Sequence, residues 1–85
     1  MNDAPILWQK GGEAHVLVLI ADRITLRSTI PSAPGSRPEA ALRSGASFKV
    51  KVARCRKEEA GFVIEGRLID TTRPVRLAIE ALLPK

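Results

Sequence analysis

Several residue types on which catalytic and binding sites commonly depend are scarce in this chain of 85 residues. It contains one cysteine, one histidine and no tyrosine, and its aromatic residues are one tryptophan and two phenylalanines. His15 and Cys55 lie 40 positions apart, and neither belongs to a motif that supplies a catalytic base or a set of metal ligands. We therefore predict a protein that is not an enzyme and that has no cofactor.

The single cysteine also bears on the compartment of the protein. Because Cys55 has no second cysteine with which to form an intramolecular disulfide, the sequence favours a reduced, packed thiol in a cytoplasmic protein. The alternative is a reactive or intermolecular cysteine, because the neighbouring cations Arg54, Arg56 and Lys57 favour a thiolate. The longest apolar run, Val16 to Ala21, is too short to span a bilayer, and no signal-peptide pattern precedes it.

Alternation of apolar and polar residues, the pattern of a half-buried strand, dominates the middle of the chain. It is clearest where Lys49 and Lys51 alternate with apolar residues. Gly66 interrupts the last such segment and predicts a bulge or bend there. The predicted strands, of which the third is a short edge strand, are 14–20, 23–29, 39–42, 47–56 and 62–69.

Three prolines and a glycine within residues 31–38 predict a stiff surface loop between the second and third of these strands. Near the end of the chain the period changes from that of a strand to that of a helix, and Pro84 stops the pattern. The sequence therefore predicts an amphipathic α-helix over 73–83. Its apolar stripe is Val75, Ala78, Ile79 and Leu82.

These segments together predict a mainly β fold, a small six-stranded antiparallel β-barrel that one C-terminal α-helix plugs or flanks. The barrel and the helix form a single domain over 14–85. Residues 1–13 show neither periodicity and are predicted to form an N-terminal arm. A chain of this length buries only about 60 to 65% of its surface on folding, so the core is modest and a binding site is shallow.

The order of these elements resembles that of the PilZ domain. The resemblance runs from about Val16 to Leu83 and rests on spacing and hydrophobicity. Segment 24–42 resembles the second strand, Pro-x-Gly loop and third strand of the family. Segments 48–56 and 62–69 resemble its long hairpin, and segment 72–83 its closing helix.

PilZ domains typically bind the bacterial second messenger cyclic di-GMP through two motifs. One is Arg-x-x-x-Arg ahead of the barrel, where this chain has only Lys10. The other is Asp/Asn-x-Ser-x-x-Gly in an early strand. In place of its Asp or Asn, its Ser and its Gly, this chain has Val16, Val18 and Ala21. The resemblance therefore implies a degenerate PilZ-like domain, a bacterial signalling or adaptor module that acts through protein contacts and not through nucleotide binding.

Basic residues outnumber acidic ones by 14 to nine, giving a formal net charge of +5. Arg23 and Arg27 repeat the Arg-x-x-x-Arg spacing within a strand, and Arg54 and Arg56 belong to a basic hairpin. These four arginines are candidate anion or nucleotide contacts, so a cyclic di-GMP effector with a non-standard arginine site is an alternative, although not the favoured one. A small basic barrel that binds nucleic acid by charge is a second alternative, disfavoured by the scarcity of aromatic residues. The plain interpretation of the same cations is a solvated strand face.

The expected partner is another protein, with a homodimer as a further alternative. Ile6, Leu7 and Trp8 in the predicted arm are candidate contacts, because an exposed aromatic side chain on an arm is a common hot spot. The other interpretation is that Trp8 folds back and closes one end of the barrel.

Overall fold

Alternating side chains build six strands in the computed structural model, which describes residues 6–43 and 45–83. The strands are all antiparallel to their neighbours and close into a barrel in the order β1-β2-β3-β6-β5-β4. The predicted mainly β fold, a six-stranded antiparallel barrel with one short C-terminal helix, is therefore confirmed. The elements are β1 (Ile6–Trp8), β2 (Glu13–Ile20), β3 (Arg23–Ser28), β4 (Glu39–Ala41), β5 (Ser47–Glu58), β6 (Gly61–Ile69) and α1 (Arg73–Glu80).

The interior of the barrel is filled by the inward-facing side chains of the strands. On β5, Phe48 and Val50 are buried while Lys49 and Lys51 are exposed, as the alternation predicts. Each fully buried aliphatic side chain stabilises the fold by about 1.5 to 3 kcal/mol. The core draws on all six strands and the helix, with members such as Ile6, Ala14, Val16, Ile24, Leu26, Ala40, Val52, Ile64, Leu68 and Ile79.

Strand β1 stands where the sequence predicts part of an arm over 1–13, and this expectation is corrected. Ile6 lies opposite Ala14 of β2, and Leu7 lies opposite Ala41 of β4, so β1 closes the ring. Its three residues contain barely one period of alternation, which is why no strand is evident in the sequence. Residues 1–5 of the predicted arm lie outside the described residues.

Trp8 closes one end of the barrel, the alternative that the sequence leaves open. Its side chain is 3% exposed, and the indole N–H donates to the Ser28 hydroxyl at 2.8 Å. The same hydroxyl donates to the Ile30 carbonyl at 2.7 Å. A buried indole N–H needs an acceptor, and Ser28 supplies it at the end of β3.

Strand β4 is not an edge strand as predicted for 39–42. Ala41 pairs with Leu7 of β1 on one side, and Ala40 pairs with Phe48 of β5 on the other. β4 has a neighbour on both sides because β1, which the sequence does not predict, pairs with it. The preceding segment 31–38 contains no strand or helix, as its prolines predict.

A β-bulge changes the phase of β5. The pairing register with β6 shifts between Val52 and Arg54, which leaves Ala53 as the extra residue. Lys51 faces outward before the bulge, and Arg54 faces outward after it. The bulge predicted at Gly66 thus lies on the partner strand, directly opposite that glycine.

Helix α1 ends at Glu80, three residues before the predicted end at 83. The N–H groups of Leu82 and Leu83 donate to the carbonyls of Ile79 and Glu80, at 2.9 and 3.1 Å. These i→i−3 bonds tighten the last turn, and Leu83 precedes a proline, a position that disfavours helical dihedral angles. Within residues 6–43 and 45–83, no helix combines the length and apolar character needed to cross a bilayer.

The predicted apolar stripe of α1 does cover the barrel. Ile79 is fully buried, and Val75, Ala78 and Leu82 pack against the core. On the same helix, the Arg76 guanidinium donates to the carboxylate of Asp22 at 2.9 Å and to the carbonyl of Ala21. Both acceptors lie in the β2–β3 turn, so α1 is attached at the end of the barrel that contains this turn.

Candidate functional site

Three neighbouring strands, β3, β6 and β5, present cations on the outside of the barrel. Residues opposite each other in an antiparallel pair share one face of the sheet. Arg23 is opposite Arg67, which is in turn opposite Lys51, so three cations follow one another across the strands. We define the basic face by the seven exposed cations of these strands that share this side: Arg23, Arg27, Lys49, Lys51, Arg54, Arg56 and Arg67.

Acidic compensation on the basic face is slight. The carboxylate of Glu65 is 3.9 Å from the Arg56 guanidinium, and these side chains are 40% and 55% exposed. An exposed pair of this kind contributes about 1 kcal/mol at most. Among the described residues, no ion pair within 4 Å involves Arg23, Arg67 or Lys51. Like charges opposite each other destabilise a sheet, so an anionic ligand on this row relieves a repulsion within the folded protein.

The row of cations ends at apolar side chains on β2. Ile20 lies opposite Arg23, and Val18 lies opposite Thr25. Their exposed fractions are 68% and 43%, which is high for aliphatic residues of a strand. A groove of about 490 Å³ runs between these residues, Arg23 and Arg67. It suits a ligand surface that is anionic on one side and apolar on the other.

All four arginines that the sequence identifies as candidate anion contacts lie on the basic face. Arg23 and Arg27, however, are four residues apart on one strand, a separation of about 13 Å at 3.3 Å per residue. Arg67 is the cross-strand neighbour of Arg23, whereas Arg27 lies opposite Val63. The Arg-x-x-x-Arg spacing therefore does not form one site, and the closer pair is Arg23 with Arg67.

The candidate protein contacts on β1 are corrected in part. Ile6 and Trp8 are 0% and 3% exposed, inside the barrel, because alternation along β1 directs both inward. Neither side chain is available to a partner without opening the barrel. Leu7 faces outward and is 51% exposed, so of these three residues only Leu7 is accessible to a partner protein.

Sequence reasoning missed Arg67, Val18 and Ile20 as parts of the site. Arg67 stands alone among apolar and acidic residues of its own strand, and its cationic neighbours belong to other strands. A signal for the phase of β5 was nevertheless present. Its outward cations change from odd to even numbers between Lys51 and Arg54, and this change marks the bulge.

The histidine and the cysteine lie apart in the fold. His15 is exposed on β2, opposite Arg27, whereas Cys55 is half-buried on the inward side of β5, opposite Ile64. Across residues 6–43 and 45–83, no three or more His, Cys, Asp or Glu side chains form a group that could hold a metal ion.

No protein-family model, curated protein or solved structure matches this chain. The interpretation of its function therefore depends on the basic face and on its position in the barrel.

Proposed function

We propose that this protein is a non-catalytic, PilZ-like signalling or adaptor domain of the bacterial cytoplasm that binds another protein through its basic face. One observation supports this proposal above others. Seven exposed cations accompany two acids, Glu58 and Glu65, on one side of the barrel, and exposed Val18 and Ile20 border them. The partner is an acidic protein surface with an apolar margin.

The two parts of this surface have different physical roles. Cations steer an acidic partner and reject basic ones, whereas burial of apolar side chains supplies much of the binding free energy. Fully burying a valine or isoleucine contributes about 1.5 to 3 kcal/mol, so Val18 and Ile20 together can hold a partner that charge has oriented. A homodimer through the basic face is disfavoured, because it brings cations against cations.

Charge reversal on the face tests the proposal. The partner is first captured from a bacterial lysate with the unchanged protein. The double variant Arg23→Glu with Arg67→Glu is expected to bind this partner at least about tenfold more weakly, because attraction becomes repulsion. The matched control is Arg37→Glu with Arg43→Glu, which changes net charge equally at two exposed positions outside the face. Affinity for the purified partner is then measured for all three proteins. Equal losses in both double variants contradict the proposal, since they report net charge and not a site.

A cyclic di-GMP effector is the second candidate, because the adjacent guanidinium groups of Arg23 and Arg67 suit a phosphate. At two positions where the PilZ motif has polar side chains, however, this chain has Val16 and Val18, and Val16 is buried in the core. We expect calorimetry with cyclic di-GMP to show no binding in the low-micromolar range. A saturable, stoichiometric heat that Arg23→Ala with Arg67→Ala removes contradicts this and favours the second candidate.

Nucleic acid is a less favoured partner. Trp8 and Phe48 are buried, and Phe62 is half-buried on the inward side of β6, so no aromatic side chain of the chain's three stands on the basic face. Single-stranded nucleic acids are held largely by stacking on aromatic side chains. Contact with phosphates by charge alone weakens steeply as salt rises.

A further inference from the structure

Strand β5 extends beyond the elements that cover one of its sides. β4 pairs only with residues 47–49 of it. The loop before β4 continues the contact as far as Val52, whose N–H donates to the Ser36 carbonyl at 2.9 Å and whose carbonyl accepts from the Gly35 N–H at 2.7 Å. Beyond Val52, no described residue makes a backbone hydrogen bond on this side of β5. Residues 53–58 therefore form an open strand edge, which we call the β5 edge.

The backbone groups of Cys55 and Lys57 point to the β5 edge. On β6, Leu68 donates its N–H away from β5, to the turn that precedes β3. Bond direction alternates along a strand, so Ile64 and Phe62 also direct their backbone groups away from β5. Cys55 and Lys57 lie opposite these two residues and form non-hydrogen-bonded pairs with β6. Two N–H and two carbonyl groups are thus open to a further strand among the described residues.

The β5 edge is cationic. Arg54 and Arg56 are exposed on its outer side, Lys57 is exposed on its inner side, and Glu58 is the one acid at its end. A second copy of this chain that paired through the same edge would bring together two edges that both carry net positive charge, which disfavours the pair. A strand with acidic side chains instead gains favourable pairs with Arg54 and Arg56.

We propose that an extended segment of the partner protein, with acidic side chains at alternate positions, adds to the barrel as a further strand along the β5 edge. The inference rests on the proposed function and names the chemistry of the partner. Opposite residues share a face, so the acidic side chains of the added strand lie beside Arg54 and Arg56. The intervening residues face inward and exchange backbone hydrogen bonds with Cys55 and Lys57.

The probe for this inference is a terminally blocked, fluorescently labelled peptide in which glutamate and valine alternate. Two further versions carry N-methyl groups, one on every valine and one on every glutamate. In an antiparallel pairing, which is the one proposed, only the valine N–H groups face β5. We expect methylation of the valines to weaken binding at least tenfold by fluorescence anisotropy, and methylation of the glutamates to change it less than threefold.

Protein variants test the same bonds from the other side. Lys57→Pro removes an N–H that β6 does not use, and an edge strand tolerates proline at such a position. Lys57→Ala is the matched control, because it removes the same charge and keeps the N–H. We expect Lys57→Pro to bind the unmethylated peptide about fivefold to tenfold more weakly than Lys57→Ala does, the effect of one lost hydrogen bond. Circular dichroism establishes that both variants remain folded.

The outcomes separate this inference from the proposed function. Equal affinities for the two methylated peptides show that charge alone holds the peptide, and they overturn the added strand. The added strand is also overturned if the unmethylated peptide does not bind at a concentration of about 1 mM. A binding free energy of roughly 4 kcal/mol, which is a Kd of about 1 mM, is detectable at that concentration. In both cases the charge-reversal experiment with the captured partner still decides whether the basic face binds a protein.

Discussion

Replacing Gly66 with alanine is expected to destabilise the barrel by about 3 kcal/mol or more, against a total stability of about 4 to 13 kcal/mol for a chain of this length. A Cβ atom at this position meets the backbone carbonyl of Lys51 and lies 2.9 Å from Val50 Cγ1. The Lys51 carbonyl belongs to the β5–β6 ladder and cannot retreat without breaking it. Urea unfolding of the variant measures the loss.

Gly35→Ala is the matched control. Gly35 has a positive φ of 88°, and a Cβ atom there meets nothing within 4 Å. The control therefore adds backbone strain of about 1 kcal/mol without a steric clash, whereas Gly66→Ala adds a clash without that strain. A Gly66→Ala protein as stable as the Gly35→Ala protein would show that the two strands separate more easily than their register implies.

Replacing Ile79 with alanine is expected to lower the free energy of unfolding by about 2 to 4 kcal/mol. Ile79 is 0% exposed and joins α1 to the core of the barrel. Alanine has a high helix propensity, so the substitution does not disrupt the helix itself. The decrease in the free energy of unfolding therefore measures the cavity and the lost burial of the side chain. Chemical denaturation followed by circular dichroism gives the value.

Leu77→Ala provides the comparison on the same helix, because Leu77 is 53% exposed. We expect it to cost less than about 1 kcal/mol, since little apolar surface is lost from the interior. A cost below about 0.5 kcal/mol for Ile79→Ala would mean that α1 is detached from the barrel in solution, with its apolar stripe free for a partner.

The long strands could be predicted from the sequence because each contains several periods of alternation. β5 repeats its pattern before the bulge through Phe48, Val50 and Val52, and α1 repeats its own through Val75 and Ile79. β1 and β4 have three residues each, so a period of two is hardly expressed in them. The sequence predicts β4 only as an edge strand, and it does not predict β1, because the pairing of these two strands with each other is a tertiary effect that local sequence does not contain.

The sequence predicts several residues of the candidate site, but not which of them lie next to one another. Charge and spacing identified Arg23, Arg27, Arg54 and Arg56, and the barrel does place them on one face. Their neighbours depend on cross-strand register, which the hairpins and the register shifts within β2 and β5 determine together. The pairing of Arg23 with Arg67 joins residues 44 positions apart, from 23 to 67, and no local pattern encodes it.

The closure of the barrel by β1 and β4 has a consequence for the order in which the molecule forms. The hairpins β2–β3 and β5–β6 join residues that are close along the chain, whereas Leu7 and Ala41 are 34 positions apart, from 7 to 41. Contacts of long sequence separation require costly loop closure and therefore form late. The pairing of β3 with β6 joins residues that are at least as distant along the chain, but it has six residue pairs, whereas β1 and β4 share two. The β1–β4 junction is therefore the weakest long-range pairing of the barrel, and it is the place where the folded ring opens most readily.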